Sequence, residues 1–511
     1  MLGTAAGLNR ATDIVVIGAG AMGAGIAQIA AMSGHRTRIY DVNRSVAEDA
    51  VKKIAITFDK LAAKGRITPA AAATAAGRLH AAAAMEDCAS AGLVVEAIVE
   101  KLEAKQKALA DVEAIVGPHC ILASNTSSIS ITAIGAGVKN PQRLVGMHFF
   151  NPAPVMELVE IVSGLATDPA VANTIYATAA AWGKLPVHTR STPGFIVNRV
   201  ARPFYAEALR LINEQVATPA TIDAIIRESG GFRMGPFELM DLIGHDVNYA
   251  VSCSVFEAFY NDPRFTPSLI QKELVDAGFL GRKTGRGIYD YGTDTIPPKA
   301  LTEPRAQAPH RVMIGASNPL NDALAKRLEG AVVFDRVEGQ QGATVGATQT
   351  MLCLTDGRSA TQRARETGHN NLVLVDLALD YSTATRLAVS RADQCAEVGY
   401  QSVVGMLQAA GFAVSSLKDV PGMAVMRTVA MLANEAADAV NQAVCTVADA
   451  DMAMSKGVNY PRGPLAWADS IGLSAVQEVL DNLARHYGED RYRASSLIRH
   501  CVYGARHLHA Q

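Results

Sequence analysis

His148 is placed along the chain where a general base could act. The apolar run Leu144–Met147 predicts a strand that carries His148 near its end. A neutral imidazole in such a place can take a proton from an alcohol near physiological pH. A second predicted strand, over 155–162, carries Glu157 and Glu160 on opposite faces, so one of them must lie among apolar neighbours and needs a partner. We expect a histidine–carboxylate pair, although periodicity alone does not say which glutamate forms it.

A glycine-rich turn near the start of the chain indicates a dinucleotide site. Asp13–Ile17 predicts a strand, and Gly18, Gly20 and Gly23 follow it before a helical run. The first glycine permits the tight turn, the second lets the backbone approach a pyrophosphate, and the third lets the helix pack close to the strand. Asp41 ends the second strand, 23 positions after Gly18, where an acid can hydrogen-bond the adenosine ribose hydroxyls and repel a 2′-phosphate. The pattern predicts NAD as the cofactor.

The surroundings of Asp41 leave two alternatives open. This carboxylate could instead cap the next helix, as an aspartate often does. Three arginines lie nearby and would suit the 2′-phosphate of NADP: Arg36, Arg38 and Arg44.

Length and composition limit the class of protein. The chain has 511 residues, too many for one core, so we expect about three domains. It is 49% hydrophobic and 19% charged with a net charge of −2, which is typical of a globular protein without a nucleic-acid partner. Met1–Thr12 lacks the pattern of a signal peptide and no apolar stretch is of membrane-spanning length, so we expect a cytoplasmic protein with no membrane partner. The seven cysteines are scattered without metal-binding spacing, and we expect no metal.

The second half of the chain repeats part of the first. Pro193 matches Pro421, 228 positions later, and the same offset still holds where Gly235 matches Gly463. Chance does not keep one register over so long a stretch, so the match indicates an internal duplication. Each copy predicts a small all-helical domain after its Pro-Gly pair.

These patterns predict an α/β plus all-α fold class. Strand and helix alternate from Asp13 to Val187, which predicts a Rossmann-type doubly wound sheet. Too few residues precede the second helical copy for a complete second sheet domain, so we expect a truncated α/β remnant that binds no nucleotide. The predicted domains are an NAD-binding domain over 1–190, a first helical substrate and dimerisation domain over 191–292, a linker over 293–319, the remnant over 320–419 and a second, catalytically empty helical domain over 420–511.

Motifs in the first half resemble those of the L-3-hydroxyacyl-CoA dehydrogenase family. The matching stretches are VIGAGAMGAGIAQ (Val16–Gln28), VVEAIVE (Val94–Glu100), SNTSS (Ser124–Ser128), GMHFFNP (Gly146–Pro152), TPGFIVNR (Thr192–Arg199) and MGPFELMD (Met234–Asp241). The resemblance implies NAD-dependent oxidation of a (3S)-3-hydroxyacyl-CoA, a coenzyme A thioester, to the 3-oxoacyl-CoA. With its eroded second copy, the full length is similar to bacterial members of the family that act on 3-hydroxyadipyl-CoA in phenylacetate catabolism.

The resemblance also implies roles for single residues. His148 would be the base, and Glu160, twelve positions on, its partner. Ser127 would hydrogen-bond the 3-oxygen of the substrate, and Asn198 would lie near the thioester carbonyl. Thr57 and Lys64, on a helical hairpin, would face the coenzyme A tail. The implied cofactor-binding residues are Gly18, Gly20, Ala21, Met22, Gly23, Asp41, Glu100, Lys105 and Asn125.

The second copy lacks the reactive residues. The offset puts Asp376 at the position of His148, Ala388 at that of Glu160 and Met426 at that of Asn198. That copy cannot perform the reaction. We expect its helical domain to pack against the first, as helical domains of relatives do between subunits, and any homo-oligomer to form through these domains.

Arg233 is the candidate group for substrate choice. A carboxylate at the far end of an adipyl chain needs a cation, and Arg233 departs from the apolar or proline residue expected there in many relatives. The other interpretation is a surface arginine at a helix end.

Three other functions compete with an adipyl-CoA enzyme. One is a 3-hydroxybutyryl-CoA dehydrogenase of short-chain fatty acid metabolism, and another is a dehydrogenase of the same fold for a free sugar acid. The third is a non-catalytic NAD-binding sensor, which would have no need of the base.

Overall fold

Residues 6–339 and 342–510 are described by the computed structural model of the chain. They divide into two units, the first holding the residues up to Arg199 together with 442–458, and the second holding 200–441 and the residues from Asn459 onward. No helix among the described residues is long and apolar enough to cross a membrane. The prediction about Met1–Thr12 concerns in part residues 1–5, which lie outside the described residues.

An eight-stranded sheet forms the centre of the first unit. Its strands stand in the order β3-β2-β1-β4-β5-β6-β7-β8, and all neighbours are parallel except β6 and β7. The strands are β1 Asp13–Ile17, β2 Thr37–Tyr40, β3 Leu79–Ala81, β4 Ala91–Glu96, β5 Ile121–Ser124, β6 Leu144–Phe149, β7 Leu158–Ser163 and β8 Leu185–Arg190. This sheet confirms the predicted Rossmann-type domain.

Helices connect and cover these strands. They are α1 Ala21–Met32, α2 Arg44–Ala63, α3 Pro69–Gly77, α4 Leu102–Glu113, α5 Ile131–Gly135, α6 Pro169–Ala181 and α7 Val197–Val200, with short 3₁₀ turns at Met85–Cys88 and Pro141–Arg143. The central strands β1 and β4 are buried along nearly their whole lengths, as expected of parallel strands covered on both faces. The loops that follow β1, β4 and β5 meet at the carboxyl edge of the sheet, where ligands of such folds bind.

The β6–β7 pair departs from the parallel pattern. The segment between the two strands is too short for a crossover helix, so β7 returns antiparallel to β6. It contains a cis Asn151–Pro152 peptide bond, and the Val155 N–H donates to the Pro152 carbonyl at 2.9 Å. This turn corrects the predicted strand over 155–162, because β7 begins only at Leu158.

A second, seven-stranded sheet lies in the second unit. Its order is β10-β9-β11-β12-β13-β14-β15, with mixed parallel and antiparallel neighbours. The elements are β9 Arg311–Ile314, α13 Pro319–Leu328, β10 Val333–Arg336, β11 Ala343–Val345, β12 Thr350–Leu354, α14 Ala360–Thr367, β13 Leu372–Val375, β14 Arg386–Arg391, α15 Glu397–Ala409 and β15 Ala413–Ser416. The predicted linker over 293–319 is therefore wrong at its end, because Arg311–Ile314 pairs with β10 and β11 and buries two of its four side chains.

The remaining helices belong to the two helical copies. The first copy has α8 Arg202–Asn213, α9 Pro219–Glu228, α10 Pro236–Ile243, α11 His245–Ala258 and α12 Leu269–Asp276, with 3₁₀ turns at Pro263–Phe265 and Arg282–Thr284. The second copy has α16 Val425–Asn441, α17 Val447–Gly457, α18 Pro464–Ile471, α19 Leu473–Tyr487 and α20 Ser496–Tyr503, with 3₁₀ turns at Asp490–Tyr492 and Leu508–Ala510. Strand β14 and helices α15 and α18 each start and end 228 positions after β7, α6 and α10, which confirms the duplication.

The long helices α8 and α16 pack against each other in the second unit. The guanidinium of Arg427 in α16 donates to the carboxylate of Glu207 in α8 at 2.7 Å, and both side chains are buried. Tyr492 also donates to this carboxylate. The predicted packing of the two helical copies therefore contains an ion pair that water does not reach.

Candidate active site

His148 and Glu160 form a buried pair on adjacent strands. They are register partners in the antiparallel β6–β7 pair, and Nδ1 of His148 lies 2.6 Å from Oε2 of Glu160. A carboxylate only accepts hydrogen bonds, so Nδ1 carries the proton and Nε2 is the basic nitrogen. The rings of Phe150 and Phe195 pack on the imidazole, with ring centroids 4.5 and 5.7 Å from its own.

The glutamate that pairs with His148 is Glu160 and not Glu157. Glu160 is fully buried, whereas Glu157 precedes β7 and is exposed, with its Oε2 atom 3.1 Å from Nζ of Lys456. The second oxygen of Glu160 accepts hydrogen bonds from the backbone N–H groups of Ile196 and Val197 at 2.9 and 3.0 Å. Glu160 therefore joins His148 to the start of α7.

Asn198 follows in α7 and faces the loop after β5. Its Nδ2 atom donates to the carbonyl oxygen of Ser127 at 3.3 Å, and its side chain is half-buried. Asn125, in the same loop, accepts a hydrogen bond from the backbone N–H of Phe149 at 2.9 Å. The structure thus brings the loop after β5 together with α7 and with the end of the strand that carries His148.

Glu100 organises the Ser127 loop. Its Oε1 atom accepts from the Thr126 hydroxyl at 2.6 Å, the Ser127 N–H at 2.9 Å and the Ser127 hydroxyl at 3.3 Å. Burial alone would raise the pKa of Glu100, but the hydrogen bond from Thr126 and the nearby Lys105 ammonium hold it below the ordinary value. Glu100 is therefore an anion that fixes the loop.

Glu96 is a site residue that sequence reasoning missed. Lys105 is 1% exposed, and its ammonium lies between Glu96 at 2.8 Å and Glu100 at 3.1 Å. Glu96 is fully buried and also accepts from the Ser124 hydroxyl at 2.6 Å. The signal was present, because an acid that ends the apolar run AGLVVE must find a cation or donors when buried. Lys105 thus acts on the site through Glu100.

The glycine turn fits a dinucleotide. Gly18 has a φ of +102°, and a Cβ there would lie 2.5 Å from the Ala97 carbonyl oxygen. A Cβ on Gly23 would lie 1.9 Å from the Gly18 carbonyl oxygen. A Cβ on Gly20 would meet nothing within 4 Å, so the space before the start of α1 is open. No described side chain caps the first N–H groups of α1, which leaves them for a phosphate.

Asp41 stands at the end of β2 beside this turn. Its carboxylate accepts from the backbone N–H of Ala19 at 2.9 Å and from that of Asn43 at 3.0 Å. The side chain that caps α2 is Asn43, which accepts from Ser45. Asp41 is partly exposed, so its charge faces solvent next to the turn.

The other predicted site residues lie at the surface or in the turn. Ala21 and Met22 are the first two residues of α1. Thr57, in α2, donates to the Lys53 carbonyl at 2.8 Å, and Lys64 is exposed where α2 ends. Arg233, in the second unit, is exposed and donates to the amide oxygen of Asn459 at 3.3 Å.

Comparisons with known proteins identify the family. The family model of the 3-hydroxyacyl-CoA dehydrogenase NAD binding domain matches residues 13–192, and that of the C-terminal domain matches both 194–291 and 422–508. The chain belongs to the 3-hydroxyacyl-CoA dehydrogenase family. A third model, the 3-hydroxybutyryl-CoA dehydrogenase reduced Rossmann-fold domain, matches residues 352–421 and confirms that the second sheet region is a truncated remnant.

Several members of the 3-hydroxyacyl-CoA dehydrogenase family resemble the chain closely. The 3-hydroxyadipyl-CoA dehydrogenase of Escherichia coli K12 is 42% identical over 95% of this chain and 96% of its own length. A crystal structure of 3-hydroxybutyryl-CoA dehydrogenase from the same species has a TM-score of 0.87 and 40% identity, and covers 97% of this chain and 99% of that chain. A probable 3-hydroxybutyryl-CoA dehydrogenase of Bacillus subtilis is 41% identical over 55% of this chain and 98% of its own length. The chain is an NAD-dependent 3-hydroxyacyl-CoA dehydrogenase.

Proposed function

We propose that the enzyme oxidises 3-hydroxyadipyl-CoA, with the His148–Glu160 pair as its general base. The observation that carries the proposed base is the 2.6 Å contact between the two side chains inside an otherwise apolar strand pair. A buried carboxylate with a histidine as its partner is costly to keep unless the imidazole is used, because an apolar pair would fill the same space.

The proton chemistry follows from the orientation of the imidazole. A secondary alcohol is too weak an acid to lose its proton unaided, so Nε2 of His148 removes that proton. Glu160 keeps the proton on Nδ1 and stabilises the imidazolium that forms. Bound NAD would supply the acceptor for the hydride that leaves C3. General-base help of this kind is typically worth about 10² to 10⁴ in rate.

Residues of the two loops hold the substrate in this proposal. Glu100 holds the Ser127 loop through the Ser127 N–H at 2.9 Å, so the Ser127 hydroxyl, which donates to Glu100 at 3.3 Å, can turn and donate to the 3-oxygen instead, while Asn198 binds the thioester carbonyl. The amide of Asn198 is already oriented, because it donates to the Ser127 carbonyl. Thr57, which is half-buried, and Lys64, which is exposed, are proposed to face the coenzyme A tail.

Gly18, Gly20, Gly23 and Asp41 would hold the adenosine diphosphate half of NAD. The open space before Gly20 and the uncapped N–H groups of α1 support this assignment. The anionic Glu100 and Asn125, the first residue after β5, would lie along the nicotinamide half. Apart from the end of the linker, the domain boundaries stay predictions, as do a cytoplasmic location and an oligomer through the helical domains.

The adipyl preference is the finer part of the proposal. Its support is the E. coli relative named for 3-hydroxyadipyl-CoA, which matches the full length, and the exposed cation Arg233 as a partner for a distal carboxylate. The relative from B. subtilis and the E. coli crystal structure, both named for 3-hydroxybutyryl-CoA, favour the shorter substrate as the second candidate. A role in phenylacetate catabolism depends on the adipyl preference.

A substrate panel tests this preference. NADH oxidation is measured with 3-oxoadipyl-CoA and with acetoacetyl-CoA for the wild type, for Arg233→Leu and for Arg462→Leu. Arg462 is the control because it belongs to the second copy, where it bonds Ser470. We expect the wild type to have its highest kcat/KM with 3-oxoadipyl-CoA. Arg233→Leu should lower kcat/KM for 3-oxoadipyl-CoA but not for acetoacetyl-CoA, and Arg462→Leu should lower neither. A wild-type preference for acetoacetyl-CoA would refute the adipyl assignment, and an equal loss on both substrates would refute the role of Arg233.

A further inference from the structure

A helix of the catalytically empty copy packs directly on the strands of the active site. Helix α17 lies in the first unit and contacts β7 and β8. Its buried positions follow one face at spacings of three and four residues: Ala450, Ala453, Met454 and Gly457. The helix thereby covers the sheet beside the strand that carries Glu160.

The end of α17 is fitted closely to the site. A Cβ added to Gly457 would lie 2.6 Å from Cδ2 of Leu158 and 3.1 Å from Cγ2 of Val197. Leu158 is the first residue of β7, two positions before Glu160. Val197 donates its N–H to Glu160 and precedes Asn198. Gly457 therefore touches both segments that Glu160 joins.

The segment before α17 contacts α7 and the end of β8. Oε1 of Gln442 accepts a hydrogen bond from the guanidinium of Arg199 at 2.9 Å, and Arg199 follows Asn198 in α7. The Val444 carbonyl accepts from the backbone N–H of Arg190, the last residue of β8, at 2.9 Å. Residues 442–457 thus contact β7, β8 and α7 together.

The second unit repeats this docking with the two copies exchanged. There helix α9, from the first copy, packs on strand β14 of the second sheet. The Lys418 N–H donates to the Val216 carbonyl at 3.1 Å, and Glu214 lies 3.4 Å from the guanidinium of Arg427. Each of these residues is 228 positions from its counterpart around α17. Only the docking of α17, however, touches a sheet with a histidine–glutamate pair.

We infer that the second copy supplies a positioning element for catalysis, in which Gln442 and Gly457 act through α7 and β7 on Asn198 and Glu160. The inference rests on the proposed roles of His148 and Glu160. A displacement of about 1 Å in a reacting group can cost on the order of 10² in rate. Loss of a single support of this kind should therefore lower kcat while the binding of NAD and acyl-CoA stays intact.

Variants of the full-length chain at Gln442 separate positioning from stability. Gln442→Ala removes one acceptor of the Arg199 guanidinium, and Gln442→Glu keeps an acceptor there. Glu214→Ala removes the equivalent group beside Arg427. We expect Gln442→Ala to lower kcat by about fivefold or more with KM unchanged. The conservative variant Gln442→Glu should keep a kcat near that of the wild type. Glu214→Ala should leave kcat unchanged. The readouts are kcat and KM for NADH oxidation with acetoacetyl-CoA, beside the Tm of each variant.

A second pair of variants keeps the test decisive. Gly457→Leu forces atoms into Leu158 and Val197, whereas Gly457→Ala adds one methyl group, so kcat should fall more for leucine than for alanine. Unchanged kcat in both Gln442→Ala and Gly457→Leu, or an equal fall in Glu214→Ala, would overturn the inference. His148→Gln is assayed in parallel, because full activity in that variant would refute the proposed base instead.

Discussion

Glu160 and Asp376 accept backbone hydrogen bonds from equivalent helix starts, although they stand at different positions of the repeat. Glu160, in β7, accepts from Ile196 and Val197. Asp376 corresponds in sequence to His148, and its carboxylate accepts from Ala424, Val425 and Met426 at 2.7 to 3.0 Å. The second copy has lost the glutamate, yet a carboxylate still satisfies the N–H groups that begin α16. The structural task of Glu160 is therefore separable from the catalytic one that we propose.

Paired alanine variants should separate these two tasks. Glu160→Ala and Asp376→Ala each leave buried N–H groups without an acceptor, at about 1 to 3 kcal/mol for each group. Both variants should unfold at lower urea concentration than the wild type. Only Glu160→Ala should also lose kcat, because only that residue orients His148. A similar loss of kcat in Asp376→Ala would contradict this division of roles.

Alanine at two of the turn glycines should impair two different properties, NAD binding at Gly20 and stability at Gly23. The Gly20 backbone has φ −65° and ψ −178°, which alanine adopts without strain, and the added Cβ would enter the open space before α1. Gly20→Ala should therefore weaken NAD binding by about tenfold at unchanged Tm. Gly23→Ala would place a Cβ 1.9 Å from the Gly18 carbonyl oxygen and should lower the Tm. NADH fluorescence titration and thermal unfolding measure the two effects; a stable, fully binding Gly23→Ala would refute the close packing.

Removal of the Lys105 ammonium should destabilise the first unit. Lys105→Met leaves Glu96 buried with no cation, which typically costs about 3 to 5 kcal/mol. Glu100 loses the same partner, so the Ser127 loop should also hold the substrate less well and KM should rise. Lys107→Met is the matched control, because Lys107 pairs with Asp111 at the surface of the same helix. Equal unfolding free energies for the two variants would show that the buried pair contributes nothing.

The Glu207–Arg427 pair should make the free energy of unfolding depend on pH in the acid range. Burial alone would raise the pKa of Glu207, but Arg210 and Arg427 hold it below its ordinary value of 4.5. A depressed pKa in the folded state gives stability that is present above pH 4.5 and is lost as the pH falls through the folded-state pKa. Glu207→Gln should cost about 3 to 5 kcal/mol at pH 7, and the difference from the wild type should shrink below pH 4.5. Urea unfolding at pH 7, 5 and 4 checks this, and a difference that grows in acid would contradict it.

Local sequence patterns predict the parts of the site that lie within one element. Three short-range features are of this kind: the glycine turn, the strand that ends near His148, and Asp41 after the second strand. Each depends only on periodicity and on one residue type. Periodicity alone does not choose between Glu157 and Glu160 as the partner of His148. That choice depends on where β7 begins, and the turn closed by the Val155 N–H and the Pro152 carbonyl moves its start to Leu158.

Contacts between distant residues could not be predicted in this way. Nothing near Leu158 in the sequence indicates that Gly457 will pack on it, since the contact joins two copies of a repeat. The repeat itself was visible through its constant offset, but an offset does not say which copy packs on which sheet. Strand β9 was missed for a related reason, because Arg311–Ile314 is too short to stand out from a proline-rich segment and is a strand only through its neighbours.

Replacement of His148 tests the central claim most directly. NADH oxidation with 3-oxoadipyl-CoA and with acetoacetyl-CoA is measured for the wild type, for His148→Gln and for His188→Gln. His188 is the control because it is a half-buried histidine of the same sheet that stacks on Tyr176. We expect His148→Gln to lose about 10² to 10⁴ in kcat while NADH fluorescence shows that it still binds cofactor, and His188→Gln to stay near the wild type. Wild-type turnover by His148→Gln on both substrates would show that another group takes the proton.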